Sequence, residues 1–404
     1  MKKIVLISTG QPTLNPRLIK EAITLQRKGF QVIILYQHWS NWAIKSDEKI
    51  LATHNLKAKL VGGNQEVNKM IYWFTRILFK LSKKVAPFIK YNFGFAELAI
   101  ARSTWLLIRK AKKIKADLYI AHNLGALPAA VIASKFHKSL SGFDAEDFHR
   151  FEVSNNVIGY ETKVNSFIEE KYLPSVNYIT ASSPLISKAY ESIFNKTFEV
   201  ILNVFDRTTN RSLEKKHQYL KLFWFSQTIG PNRGLENVID ALNISRNGFE
   251  LHLLGEITSE YKISLCNALQ TSSSSLHFYE PISPDEIFDF ATKFDIGLAT
   301  EPGFSLNNNY ALSNKIFTYI QSGLATIASN TPAQSQLLNK YPGIGKLFTD
   351  KNHKDLASIL DIYYKDRSLL VSHKATAYRL GQDQLNWEVE SKKFIEIINK
   401  TLNS

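Results

Sequence analysis

The sequence predicts an α/β protein of two doubly wound parallel-sheet domains, and three observations carry that expectation. The chain has 404 residues, more than one hydrophobic core usually serves, so two domains are the natural division. Residues 3–36 read strand, loop, helix, strand, the opening of a parallel sheet whose ligands sit at the carboxyl ends of the strands. The run Ser313–Ser329 reads helix, glycine stop and short buried strand, with Ile316, Phe317 and Ile320 recurring at helical spacing. Hydrophobic residues make up 44% of the chain, and no low-complexity tract interrupts it, as expected of a folded protein. The single cysteine, Cys266, excludes an internal disulfide framework or a cysteine zinc cluster and fits a reducing cytoplasm.

The elements follow in order. Lys3–Ser8 is basic and then apolar, too short for a signal-peptide core, and is read as the first strand. No run of about 18 apolar residues occurs, so no spanning helix is expected. The loop Thr9–Arg17 follows, where Gly10 permits a tight turn and Arg17 enters a helix running to about Lys28. A dinucleotide fingerprint is absent there. Gln31–Tyr36 is the second strand. Asp117–Asn123 is another, and His122 at its carboxyl end is either a cleft residue or a satisfied structural histidine. After the short strand at Leu140, the acids Asp144, Glu146 and Asp147 fall together with His149 and Arg150. That density admits a metal, but no paired-histidine spacing supports one, and a surface capping loop is the alternative. Tyr178–Ser183 is read as the last strand of a domain spanning 1–203, and the polar run Arg207–Gln218 as a linker. Leu220–Ser226 restarts the pattern, and a loop from Gln227 to Glu236 enters a helix. In it Gly230 and Gly234 permit close backbone approach, and Arg233 offers a fork that holds phosphate bidentately. A second domain is expected over 204–383, and a terminal helix over 384–404.

Ser313 is a plausible helix cap. The helix start, with Asn314 and the cation Lys315, suits a diphosphate. An ordinary αβ unit with an exposed lysine stands equally open from these residues alone.

The net charge of +14 implies attraction to anions. Lys69–Lys115 holds twelve Lys or Arg and one acid, Glu97, interleaved with Met70–Phe74, Ile77–Phe79 and Trp105–Ile108. Basic amphipathic helices of this kind lie on anionic membrane surfaces. The alternative is that the apolar face packs on the domain and the lysines are simply solvated. No nucleic-acid motif accompanies the charge, so nucleic acid is not an expected partner.

The run Ser313–Ser329 resembles the donor-nucleotide motif of GT-B glycosyltransferases, in particular glycosyltransferase family 4, with Thr326 where that motif has proline. The resemblance extends through Ala121–Ala130, through Val200–Asp206 and through the Arg233-Gly234 pair, and covers most of the chain outside 68–115. It implies two Rossmann-like domains facing a cleft, with a C-terminal helix crossing back to the first. It also implies transfer of a sugar from a UDP- or GDP-linked donor to a glycan or polyprenyl-lipid-linked acceptor, with retention, in cell-surface polysaccharide or glycoconjugate synthesis. On this reading Arg233 and Lys315 stabilise the leaving diphosphate in place of a metal, and no cofactor is required. Ser226, Gln227, Gly230, Gly255, Glu301, Ser313, Asn314 and Thr318 would bind the donor. Gly10, Asn15, Arg17, His122 and Glu146 would lie on the acceptor side, and Asp144 would be the acid lining the reaction centre, with Glu146 as substitute. The family's two glutamates, with seven residues between them, are missing: Tyr310 and Thr318 occupy those positions. The implied location is cytoplasmic, peripheral at the inner face of the membrane. Two rivals share these features: a nucleotide-sugar 2-epimerase of the same fold, and a non-catalytic nucleotide-sugar-binding protein at a membrane surface.

Overall fold

The structure is a computed structural model that describes residues 1–209 and 218–404. It contains two parallel sheets. In the first, β1 (Lys3–Ser8), β2 (Gln31–Gln37), β3 (Lys57–Val61), β4 (Leu118–His122), β5 (Leu140–Ala145), β6 (Tyr178–Ala181) and β7 (Glu199–Val200) lie in the order β3-β2-β1-β4-β5-β6-β7. In the second, β8 (Leu220–Ile229), β9 (Phe249–Ile257), β10 (Ser275–Tyr279), β11 (Ile296–Ala299), β12 (Ala325–Ser329) and β13 (Gly345–Phe348) lie in the order β10-β9-β8-β11-β12-β13. Read within each sheet, both orders begin 3-2-1-4-5-6. The strand order therefore reverses between β1 and β4, and again between β8 and β11, which opens a crevice at the carboxyl ends there.

The central strands read as near-continuous apolar runs because helices cover both faces. Ile4 to Ile7, Leu118 to Ala121 and Ala325 to Ala328 are buried throughout. In the second sheet, Leu222, Trp224, Leu251, Leu253, Ile296, Leu298 and Ile327 join Leu235, Val238 and Leu242 of the following helix in one core.

The chain divides into two compact units. One comprises residues 1–202, 305–307 and 391–404, the other 203–304 and 308–390. Most of the polar run Arg207–Gln218, expected as a linker, lies outside the described residues. The terminal helix expected over 384–404 spans Trp387–Asn403, and a separate helix precedes it. Arg367–Asp383 ends the second unit's helical layer, and Trp387–Asn403 begins after a break. Asn386 makes that break: its Nδ2 donates to the carbonyls of Gly381 and Gln382, both at 2.9 Å, and its Oδ1 accepts from Val389 N at 3.0 Å. One side chain thus closes one helix and caps the next. Beyond it, Phe394 and Ile398 are buried, and Lys2 Nζ donates to the Leu402 carbonyl at 2.7 Å. Residues 303–312 contain the short helix Leu306–Tyr310.

Candidate functional site

The second unit brings the sequence-predicted donor residues to the β8/β11 crevice. The helix Asn314–Ser322 starts there, capped by Ser313, whose Oγ accepts from Lys315 N at 3.4 Å while its carbonyl accepts from Ile316 N at 3.1 Å. Gly323 ends it in the left-handed region, and Leu324 N returns to the Tyr319 carbonyl at 2.9 Å. Glu301, just past β11, reaches this helix start. Its Oε1 accepts from Ser313 Oγ at 2.8 Å and from Lys315 Nζ at 2.5 Å. The Lys315 ammonium also lies over the Trp224 ring, 5.1 Å from its centroid, a cation–π contact. The cation is therefore held at a fixed place between a carboxylate and an indole. Asn314 Oδ1 accepts from Asn203 Nδ2 at 3.1 Å.

The loop after β8 differs from expectation in an informative way. The strand does not stop at Ser226 but runs to Ile229, and its register against β9 shifts between Phe225 and Thr228. Ser226 and Gln227 step out of the ladder there as a β-bulge, a device that re-aims side chains. Gly255 makes room for it: its φ is +147°, and a Cβ would meet the Ser226 carbonyl at 2.2 Å. The re-aimed Ser226 Oγ accepts from Arg233 Nη1 at 3.1 Å. Arg233 itself is exposed, and its carbonyl accepts from Thr300 Oγ1 at 3.1 Å. The close backbone approach expected of Gly230 and Gly234 belongs to Gly234 alone. A Cβ there would meet the Thr300 carbonyl at 2.2 Å, whereas at Gly230 it would meet nothing within 4 Å. A cavity of about 480 Å³ opens beside this loop, lined by Asn232, Gly234, Glu236, Thr300, Phe304 and Asp350. Thr318, expected at the donor, is instead buried in its helix. Its hydroxyl donates back to the Asn314 carbonyl at 3.4 Å, one turn earlier.

In the first unit the register sets Ser8, His122, Asp144 and Thr180 side by side across β1, β4, β5 and β6. Arg17 reaches this row from the helix Pro16–Arg27, which Asn15 caps by accepting from Leu18 N at 2.9 Å. Its guanidinium grips both oxygens of Asp144, at 2.5 and 2.7 Å, and also donates to the Ile201 carbonyl. Thr180 Oγ1 adds a third bond to Asp144 at 2.7 Å. His122 lies 3.2 Å from Glu21 and 3.3 Å from Glu146. Burial would lift the Asp144 carboxyl, but Arg17 and His122 outweigh it and hold it at about 2. Burial would likewise lower His122, yet Glu21, Asp144 and Glu146 raise it well above its ordinary value.

This cluster corrects the expectation for Asp144, Arg17 and His122. Each has a side chain no more than 1% exposed, so none lines an accessible surface, and all the hydrogen-bonding capacity of Asp144 turns inward. The accessible acid is Glu146, 24% exposed and held by Asn15 Nδ2 at 2.7 Å. Gly10 donates its N–H to Ser8 Oγ at 2.9 Å, and beside it Thr9 Oγ1 donates to Asn123 Oδ1 at 2.6 Å, closing the β1/β4 crevice floor. His122, Asp144 and Glu146 stand close enough to share a cation, but the two Arg17 bonds already occupy Asp144.

Sequence reading missed Trp224, whose apolar ring beneath Lys315 looks like any core residue in a strand pattern. It also left His149 unassigned. That side chain is buried, with Nδ1 2.9 Å from Glu152 Oε2. Burial opposes its charge, but Glu152, Asp147 and Glu169 raise it to about 9. Burial and Glu152 raise Asp147 to about 6. Between the ordinary histidine value of 6.5 and about 9 the folded chain holds a proton on His149 that the unfolded chain has lost. The stabilisation is complete below that window and disappears as pH rises through it. The Asp147 proton acts in the same direction between 3.8 and about 6. The melting temperature of the protein is expected to fall from pH 6.5 to 9, and less steeply in His149→Gln. Parallel slopes in thermal scans of the two proteins would show that His149 is not the group involved.

No protein-family model matches the chain, and no curated protein matches it in sequence. Solved structures match along its whole length. Anabaena HepE in complex with UDP and glucose is 15% identical, with a TM-score of 0.71, covering 99% of this chain and 100% of its own. Sucrose-phosphate synthase from Thermosynechococcus elongatus is 10% identical, with a TM-score of 0.70 and 99% of each chain covered. A Staphylococcus aureus TarM variant in complex with UDP, fondaparinux and a GlcNAc-glycerol is 10% identical, with a TM-score of 0.70 and all of both chains covered. The chain has the GT-B fold. Its two Rossmann-like sheets of seven and six strands are those of this architecture.

Proposed function

We propose that this GT-B protein is a glycosyltransferase that moves a sugar from a UDP- or GDP-linked donor to a glycan or polyprenyl-linked acceptor, with retention of configuration. The observation that carries the proposal is the fixed Lys315 ammonium at a helix N-terminus in the β8/β11 crevice. The bulge there turns Ser226 to meet Arg233. A departing nucleoside diphosphate gains charge as the glycosidic bond breaks. Lys315, Arg233 and the helix end are preorganised to receive it, so a metal ion is not required. Glu301 orients Lys315 through its Oε1. In the first unit Glu146, held by Asn15 Nδ2 and His122 Nδ1, is the carboxylate assigned to the acceptor hydroxyl, while Arg17 and Asp144 secure the strand ends beside it. In retention, the leaving phosphate takes the acceptor proton. The solved structures with UDP or a sugar bound support this reading by analogy of fold alone. The acceptor's lipid anchor would bring the enzyme to an anionic membrane face in cell-surface glycoconjugate synthesis.

The test is a thermal-shift titration with UDP, GDP, ADP and their sugars, with and without a chelator. A nucleotide at about 100 times its Kd should stabilise the fold by roughly 2.7 kcal/mol. A shift with one nucleotide that a chelator leaves unchanged is the expected result. No shift with any nucleotide would favour a non-catalytic membrane-surface protein. Release of free sugar from the donor without acceptor would favour the epimerase.

A further inference from the structure

We propose that the helix Lys69–Val85 and the loops beside it form an insertion surface for an anionic lipid bilayer. The sequence left open whether its apolar face packs on the domain, and the structure answers that it does not. A surface helix of a water-soluble domain turns its apolar stripe inward; this one is reversed. Thr75, Ser82 and Tyr72 face the protein, while Met70, Trp73, Phe74, Ile77, Leu81 and Val85 face out, with Met70 87% exposed. At 100° per residue those six fall within an arc of roughly 120°.

The reversal has a cause thirty residues downstream. Arg102 is buried, and its guanidinium donates to Thr75 Oγ1 at 2.8 Å and to the Gly62 carbonyl at 2.7 Å. It also stacks over Tyr72 at 4.8 Å. Turning the helix about its axis would take Thr75 Oγ1 and the Tyr72 ring away from this buried cation and set apolar side chains against it, so the polar face is held inward and the apolar face outward.

The neighbouring loops extend the same surface. Trp39 and Trp42 are exposed, and their loop is tied to this region by Asn41 Nδ2 donating to Gln65 Oε1 at 2.9 Å and by His38 against Tyr72. Beyond the helix, Phe88 and Phe93 are 88% and 89% exposed. Lys90, Tyr91 and Phe93 all hold positive φ, between 51° and 61°. Such clustered strain persists where the surroundings enforce a functional shape.

Charge selects the occupant. Lys80 borders the apolar stripe and Lys84 stands within it, between Trp73 and Ile77 on the helix surface, and Lys90 and Lys163 line a cavity of about 340 Å³ with Tyr91 and Tyr160 near the helix end. Glu97, the lone acid of residues 69–115, is buried and bound by Lys171 at 2.6 Å, so it offers no outward charge. A second copy of the chain would set like-charged borders against each other. A bilayer of anionic lipids accepts the aromatic stripe at its acyl boundary and the lysines at its phosphates.

The inference deepens the membrane part of the proposed function, yet its test does not depend on sugar transfer. The full-length protein is floated with vesicles of phosphatidylcholine, alone or mixed with phosphatidylglycerol, with no donor or acceptor present. Retention on the mixed vesicles is expected, weakening with salt. It should fall by about tenfold or more in Phe74→Ser/Ile77→Ser and in Lys80→Glu/Lys84→Glu. These side chains are solvent-facing, so melting temperatures should not change. Failure to float with mixed vesicles, or flotation that neither variant reduces, overturns the inference. A dimer seen by light scattering and abolished by Phe74→Ser/Ile77→Ser, without vesicle binding, would assign the face to a second copy instead.

Discussion

Replacing Lys315 with Ala is expected to lower the turnover of sugar transfer by about 10²–10³-fold while leaving the melting temperature nearly unchanged. The size follows from what the side chain is positioned to do. Its ammonium is held by Glu301 at 2.5 Å and by the Trp224 ring at 5.1 Å. It therefore meets a developing diphosphate charge without first having to be ordered. The stability effect is small because the side chain stands at the rim, 14% exposed: its removal uncovers part of the Trp224 ring and frees Glu301, and among the described residues no other core residue packs on its ammonium. Lys315→Arg should recover only part of the loss, because a planar fork cannot occupy the seat of a compact ammonium. The measurement is a steady-state rate with saturating donor, beside the nucleotide Kd from the thermal shift. A loss confined to KM would mean that Lys315 binds the donor equally in ground and transition states. Unchanged turnover and unchanged nucleotide affinity together would remove this helix start from the site.

Arg17→Ala is expected to destabilise the first unit by about 3–5 kcal/mol, the usual cost of leaving a buried carboxylate without its cation. Asp144 would keep Thr180 but lose two charged bonds, and the Ile201 carbonyl would lose its donor. Arg17→Lys should restore little, since one ammonium cannot span both oxygens and the carbonyl. Arg17→Met with Asp144→Leu should regain much of the loss, because an apolar pair needs no charge compensation. Urea unfolding followed by a probe in residues 1–202 measures all three. If Arg17→Ala unfolds like the parent protein, the network is not the keystone that its burial implies.

Both experiments rest on residues of different legibility. The helix Asn314–Ser322 is written locally: a capping serine, an apolar spacing and a glycine in the left-handed region lie within eleven residues of one another. Any reader of those residues reaches the same helix. The role of Asp144 is not written locally, because its partner stands 127 positions away and only the parallel register brings them together. The bulge at Ser226 depends on Gly255 in the adjacent strand, so a strand pattern read along one segment ends it too soon. For the helix Lys69–Val85 periodicity gives an apolar stripe but not its direction; a single arginine beyond the helix decides that. Glu301 shows the opposite case. The spacing of paired glutamates fails in this sequence, yet the carboxylate arrives at the helix start from a different loop.

The membership of residues 391–404 in the first unit also orders events on the ribosome. The segment that completes that unit is translated after all of residues 203–390. The buried Phe394 and Ile398 cannot join their unit until the second unit has emerged, so the earlier unit must wait, incomplete, through the synthesis of its neighbour. A pause or a premature stop near the end of the message would therefore harm the half of the protein that was made first.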